Sequence, residues 1–292
     1  MNIETRNNDI VLNNVSDFKI SDIFLCGQCF RFNSVAENEY IGTAFGKTIR
    51  ISQNGSCVIL HSTTMSDFKN VWYKFFDFDR DYSQIKAELL KDGDSIMESA
   101  IAYGGGIRIL KQELWETIIS FIISASNNIP RIKKIIELLC TNFGNAHEYE
   151  GNTYYSFPDA QTISKLSEAD LSVIRAGFRT KYILNCAKSV NGGGFDIDSL
   201  YSLDTPDAKK ALMSISGIGN KVSDCILLFA LNRFDSFPVD VWIKRIMEYC
   251  YFENNEQSIL TISDFANRKF GKLGGIAQQY LFYYAHDLRI GT

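Results

Sequence analysis

The run LMSISGIGNKVSDCILLFALNRFDSFPVDVW, Leu212 to Trp242, decides how this chain folds. Just upstream, Asp204-Thr205-Pro206 is a helix start, a capping side chain ahead of a proline in the first turn. That helix is expected to run to about Met213. Ser214-Ile215-Ser216-Gly217-Ile218-Gly219 then makes a tight hairpin, and a second helix begins near Asn220. Gly217 and Gly219 flank one apolar residue, so no side chain blocks a close approach to their backbone. The N–H groups of the hairpin and of the following helix start face outward together, which suits a phosphate held without regard to sequence. Beyond the second helix, Phe237-Pro238-Val239-Asp240 leads into a third at Val241-Trp242-Ile243-Lys244, where Asp240 is an ideal N-cap.

Upstream, the periodicity is also helical. From Gln112 to Ser124, Leu114, Ile118, Ile119 and Ile122 recur at three- and four-residue spacing. Ser126-Asn127-Asn128 breaks that helix, Pro130 opens the next, and another is expected near Ser167–Gly177. The first hundred residues differ in texture. Ile49 and Ile51 alternate with Arg50 and Ser52, Asn54-Gly55 supplies a type I′ turn, and Cys57–Leu60 returns as the partner strand. Tyr40 to Phe45 ends at a further turn, Gly46-Lys47, giving an antiparallel meander over about residues 9–62. The fold class is α+β: an N-terminal antiparallel β domain with flanking helices over 1–108, then an α-helical body over 109–292 containing the helix-hairpin-helix element.

Hydrophobic residues at 46% and charged residues at 22% exclude disorder and simple repeats. The net charge of 30 − 34 = −4 excludes a global basic field, so any nucleic-acid contact must be a local patch. Two stretches without an acid qualify: Leu171–Val190, with Arg175, Arg179, Lys181 and Lys188, and Phe121–Ile136, with Arg131, Lys133 and Lys134. The N-terminus lacks a basic region followed by an apolar run, and no apolar stretch approaches a membrane span. Seven scattered cysteines, an odd number, fit a reducing intracellular compartment, the cytoplasm or nucleoid in a prokaryote. Cys26 and Cys29 form a CxxC with no second pair, and only three histidines accompany it, so a zinc site is not expected.

The Leu212–Trp242 run resembles the signature of the helix-hairpin-helix (HhH-GPD) DNA glycosylase superfamily. Its GPD element corresponds to the hairpin glycines, Pro238 and Asp240, and a lysine at the hairpin exit, here Lys221, marks the bifunctional glycosylase/lyases. No cysteine follows Cys250, which sets aside the members closed by a four-cysteine iron–sulfur cluster, and alkyl-base members generally lack the lysine. What remains resembles 8-oxoguanine DNA glycosylase. The chain resembles it further in Gly27-Gln28-Cys29-Phe30-Arg31, in Ser126-Asn127-Asn128-Ile129-Pro130-Arg131 and in Gly275-Ile276-Ala277-Gln278 with Phe282. These motifs follow the family's order over nearly the whole chain.

The resemblance implies base-excision repair of double-stranded DNA containing 8-oxoguanine by a monomer, with no required cofactor, zinc or iron–sulfur cluster. Lys221 is implied as the amine nucleophile on C1′, acting as a free amine at a helix N-terminus whose dipole disfavours another cation. Asp240 is implied as the carboxylate facing an oxocarbenium-like transition state. The extruded base would lie between Cys225 and Phe282, with Gln278 on its Watson–Crick edge, Phe229 in the pocket wall and a backbone carbonyl from Pro238. Gly27 would offer its carbonyl to N7–H of 8-oxoguanine, a proton that guanine lacks, so guanine is repelled where the lesion is attracted. Phe178, Asn127, Arg131 and Arg179 match the wedge and opposite-base readers, while Gly217 and Gly219 take the DNA backbone. The carbonyls of Met213, Ile215 and Ile218 could hold a monovalent or calcium ion bridging to phosphate, as in relatives.

Three positions depart from the family. Ser126 replaces the first asparagine of the turn, Trp242 a histidine that contacts phosphate, and Phe229 a methionine. Taken singly, Cys225 reads as a small buried thiol, Phe282 as a core aromatic and Arg131 and Arg179 as surface arginines. Two other functions stay open: a glycosylase for another damaged base, and a non-catalytic helix-hairpin-helix module that only grips phosphates.

Overall fold

The computed structural model describes residues 1–288, so residues 289–292 at the end of the second segment lie outside it. Strands β1 (Asn2–Arg6), β2 (Asp9–Asn13), β3 (Phe32–Ala36), β4 (Glu39–Ala44), β5 (Lys47–Asn54) and β6 (Cys57–His61) form one antiparallel sheet in the order β1-β2-β6-β5-β4-β3. The sheet is not a plain meander: helix α1 (Ile20–Leu25) follows β2, which pairs with β6. Both expected turns sit one residue away from their predicted places. Asn54 pairs with Cys57, leaving Gly55-Ser56 as the turn with positive φ at Gly55 alone, so it is not type I′. Ala44 pairs with Lys47, so Phe45-Gly46 turns, with φ 52° and 69°. The register of the buried faces fixes these positions, since a one-residue slip would turn Ile49, Ile51, Val58 and Leu60 out of the core. That core is closed by Phe24, Phe68, Trp72, Phe75 and Phe76, each such side chain stabilising by about 1.5–3 kcal/mol on burial.

The helical body comprises α2 (Tyr82–Leu90), α3 (Ser95–Gly104), α4 (Leu114–Ser124), α5 (Ile129–Phe143), α6 (Arg179–Asn191), α7 (Thr205–Met213), α8 (Asn220–Phe229), α9 (Val241–Tyr251), α10 (Ile259–Phe270) and α11 (Gly274–Leu288). A two-stranded hairpin, β7 (Ala146–Tyr149) and β8 (Asn152–Tyr155), follows α5. In place of the helix expected near Ser167–Gly177 stands a short 3₁₀ turn, Asp170–Ile174, ended by Arg175 in the left-handed region. Although α2 and α3 precede residue 109, Tyr82, Met97 and Ile101 belong to the core of the helical body, and α3 packs on α11. At the junction, buried Arg108 donates to the carbonyls of Asp17 (2.9 Å) and Asp77 (2.8 Å). No described helix is long and apolar enough to cross a membrane.

Asp94 ties three helices. Its carboxylate caps α3 through the N–H groups of Ile96 (3.0 Å) and Met97 (3.2 Å), and accepts from Tyr251 (2.9 Å) and Lys269 (2.9 Å). Asp94→Ala is expected to lower stability by about 2–3 kcal/mol, from a lost cap and a lost charge-assisted bond, measured by urea unfolding. Burial alone would raise this carboxyl, but Lys269 and the Met97 N–H hold it below its ordinary value. A depressed folded-state pKa gives stability that is present above the unfolded value of about 4 and lost as pH falls through the folded one. The wild-type urea midpoint should therefore approach that of Asp94→Ala in acid below about pH 4.

Candidate active site

Helices α7 and α8 flank the hairpin as the sequence predicts. Asp204 caps α7 at the Asp207 N–H (2.9 Å), and the turn closes through Ile215 N–H to Leu212 O and Ile218 N–H to Ile215 O, both 3.1 Å. Gly217 has φ +95°, and a Cβ there would lie 2.7 Å from Cγ of Tyr182, so both backbone and packing require glycine. At Gly219 a Cβ would meet nothing within 4 Å. The α8 N-terminus thus opens on free space, as a phosphate needs. An ion pair of 2.7 Å between Lys209 and the largely buried Asp224 clamps α7 to α8.

Lys221, in the first turn of α8, reaches back to α4. Its Nζ lies 3.5 Å from Ser124 Oγ and 5.4 Å from the centroid of the Phe121 ring. One turn along α8, Cys225 is 3% exposed. Burial pushes its thiol up to about 11, the charge of Lys221 lowers it, and those of Asp224 and Asp240 raise it. Asp240 is the N-cap of α9, accepting the Ile243 N–H at 2.8 Å. Among the described residues no ion pair within 4.0 Å joins Asp240 to Lys221.

Phe121 joins this cluster to the N-terminal segment. It stacks on Phe229 at 5.4 Å and 14°, and meets Phe30 edge-on at 5.6 Å. Phe30 follows Gly27 by three residues. Gly27 has φ +78°, and a Cβ there would come within 3.2 Å of the Phe282 ring, so the first segment and α11 meet at a point only glycine fits. The Gly27 backbone is held by its neighbour: Gln28 is fully buried, donates to Ile23 O (3.0 Å) and Arg108 O (2.8 Å), and accepts from Leu110 N–H (2.9 Å). Gln112 donates to Gln28 O at 2.7 Å, while its own N–H reaches Phe229 O at 3.2 Å. Gln278 is 4% exposed and accepts from Gln279 at 3.1 Å; Pro238 is buried two residues before Asp240. Cys26 and Cys29 point into separate cores, and burial raises both thiols. Among the described residues no group of three or more His, Cys, Asp or Glu could hold a metal ion.

The turn between α4 and α5 carries the remaining expected residues. Ser126 sits at φ +49°, and Asn127 is folded back on Ile123 O (3.0 Å) and the Asn128 N–H (3.0 Å). Asn128 caps α5, with Arg131 exposed in its first turn. Arg179 is not a surface arginine. It is 3% exposed and donates to Ala125 O (2.6 and 2.8 Å), Ser126 O (2.8 Å) and Ala176 O (3.2 Å), with its guanidinium 4.4 Å over Phe178. Phe178 itself is 60% exposed. Sequence reasoning missed Phe121, Ser124, Gln112 and Gln279. The first two lie in a helix whose spacing reads as core, and their neighbours are distant in the chain.

Comparisons with known proteins bear on the family and the fold. A family model described as 8-oxoguanine DNA glycosylase, N-terminal domain, matches residues 10–118, and one described as HhH-GPD superfamily base excision DNA repair protein matches 119–272. The solved structure of MBOgg1 in complex with a low affinity DNA ligand is 41% identical, with a TM-score of 0.95 over 99% of both chains. That of Clostridium acetobutylicum 8-oxoguanine glycosylase/lyase, in complex with double-stranded DNA containing cytosine opposite 8-oxoG, is 39% identical, again with a TM-score of 0.95 over 99% of both. The N-glycosylase/DNA lyase of Saccharomyces cerevisiae is 41% identical over 158 residues, which are 50% of this chain and 42% of that protein, so the match spans less than half the yeast relative. The chain belongs to the HhH-GPD superfamily of base excision DNA repair proteins, with an N-terminal domain of the 8-oxoguanine DNA glycosylase type.

Proposed function

We propose that this protein excises 8-oxoguanine from duplex DNA as a bifunctional glycosylase/lyase in base-excision repair, with Lys221 as nucleophile. The observation that carries the reading is the placement of the Lys221 amine at the N-terminus of α8, over the Phe121 ring and 3.5 Å from Ser124 Oγ. The neutral amine attacks C1′, and the electrons of the C1′–N9 bond leave with the base, which takes up a proton. The sugar ring then opens to a Schiff base. Loss of a C2′ proton expels the 3′ phosphate, and water releases the enzyme. Asp240 stabilises the positive charge that develops on the sugar. The flipped base stacks between Cys225 and Phe282, with Phe229 in the pocket wall, Gln278 on its Watson–Crick edge, Gly27 on N7–H and the Pro238 carbonyl at its side. Gly217 and Gly219 grip the backbone of the damaged strand. The hairpin carbonyls of Met213, Ile215 and Ile218 are neutral oxygens of the kind a monovalent or calcium ion takes, that of Ile215 already accepting one hydrogen bond.

Borohydride trapping tests this reading. A covalent adduct on an 8-oxoguanine duplex supports it. Adducts only with other lesions would make the protein a glycosylase for another base, and binding with neither adduct nor base release would leave a phosphate-gripping module. On the opposite strand, Phe178 fills the gap and Arg131 faces the estranged base, while Asn127 and Arg179 can read it only by giving up their present backbone partners. Because Ser126 is short and Arg179 is committed to three carbonyls, excision is expected to differ by less than about tenfold, or 1.4 kcal/mol, among duplexes with C, A, G or T opposite the lesion. Single-turnover rates on the four duplexes check this, and a cytosine preference of a hundredfold would refute it.

A further inference from the structure

The hydroxyl of Ser124 has a neighbour on each side. It donates its proton to Phe121 O at 2.8 Å, and its oxygen lies 3.5 Å from Lys221 Nζ. Ser124 is the last residue of α4 and is 9% exposed. With the one hydroxyl proton committed to a carbonyl, the oxygen can only accept from the amine. The face of the Phe121 ring, 5.4 Å from Nζ, likewise favours the N–H side of an amine over its lone pair. We propose that Ser124 is a positioning residue for Lys221: it takes an N–H of the amine and so turns the nitrogen lone pair away from α4, toward the cleft where C1′ would stand. This rests on Lys221 being the nucleophile. A hydroxyl donor at the same place would occupy the lone pair and suppress attack; a carboxylate would hold the amine as a salt bridge. A serine whose proton is already spent does neither.

The test is a comparison of Ser124→Ala and Ser124→Thr with wild type, on a duplex carrying 8-oxoguanine and on one carrying an abasic site. Ser124→Ala should lower the single-turnover rate of borohydride-trapped adduct formation about threefold to tenfold on both, the effect of one lost hydrogen bond. The dissociation constant for the same duplexes should stay within twofold, because the hydroxyl touches the amine and not the DNA. Ser124→Thr keeps the hydroxyl, which in a helix can still donate to a preceding carbonyl, and should restore the rate. A merely structural role would lower binding and rate together and would not be rescued selectively. Equal trapping rates in Ser124→Ala and wild type would overturn the inference while leaving Lys221 in its role. Should Ser124→Ala not fold, Ser124→Cys takes its place, with the same fall in rate expected from a weak acceptor. Wild type that traps on neither duplex would overturn the nucleophile assignment itself, and this inference with it.

Discussion

Lys221→Ala is expected to abolish the borohydride-trapped adduct and to lower single-turnover excision of 8-oxoguanine by about 10³-fold or more, the scale on which removal of an enzyme nucleophile acts. The same change should leave binding to an 8-oxoguanine duplex within a few-fold, since the amine rests on the Phe121 ring and the hairpin glycines are untouched. Stability should change little, because a half-exposed lysine over an aromatic ring contributes only about 0.5–1 kcal/mol. The adduct and the excision rate must fall together. An adduct that persisted in the variant would assign the chemistry to another amine, and excision that persisted without an adduct would assign it to activated water.

The second large effect separates two roles of one side chain. Asp240 caps α9 by accepting the Ile243 N–H at 2.8 Å, and its charge also reaches the Cys225 thiol. Asparagine caps a helix about as well as aspartate, but carries no charge. Asp240→Asn is therefore expected to leave the urea midpoint unchanged while lowering excision about 10²–10³-fold, the loss typical of a group that stabilises transition-state charge. Asp240→Ala should show the same kinetic loss and, in addition, about 1 kcal/mol of lost stability from the missing cap. Near wild-type excision by Asp240→Asn would reduce the residue to its cap.

The elements around the chemistry were legible because their signals are local. Asp204 and Pro206 start α7, Gly217 and Gly219 make the turn, and Asp240 starts α9, each by hydrogen bonds or dihedral needs satisfied within a few residues. The hairpin turns of the sheet were placed one residue off for a related reason. Turn propensity favours Asn54-Gly55, but the alternation of Ile49, Ile51, Val58 and Leu60 fixes the register, and the register moves the turn to Gly55-Ser56. The helix expected near Ser167–Gly177 shortened to Asp170–Ile174 because the backbone leaves the helical region at Arg175 (φ 56°) and again at Gly177 (φ 63°).

The sequence by itself determined the α+β order of elements, the helix-hairpin-helix and the presence of a lysine at its exit and an aspartate at the next helix start. Those features depend on capping, glycine dihedrals and periodicity, all of which act over a few residues. Only the tertiary structure decided that Lys221 rests on Phe121 and Ser124, the latter 97 positions away, that Gly27 meets the ring of Phe282, and that Arg179 is buried on the carbonyls of the turn at Ala125 and Ser126. Such contacts arise when helices far apart in the chain pack side by side to bury their apolar faces, and no short stretch of sequence encodes which polar atoms that packing brings together.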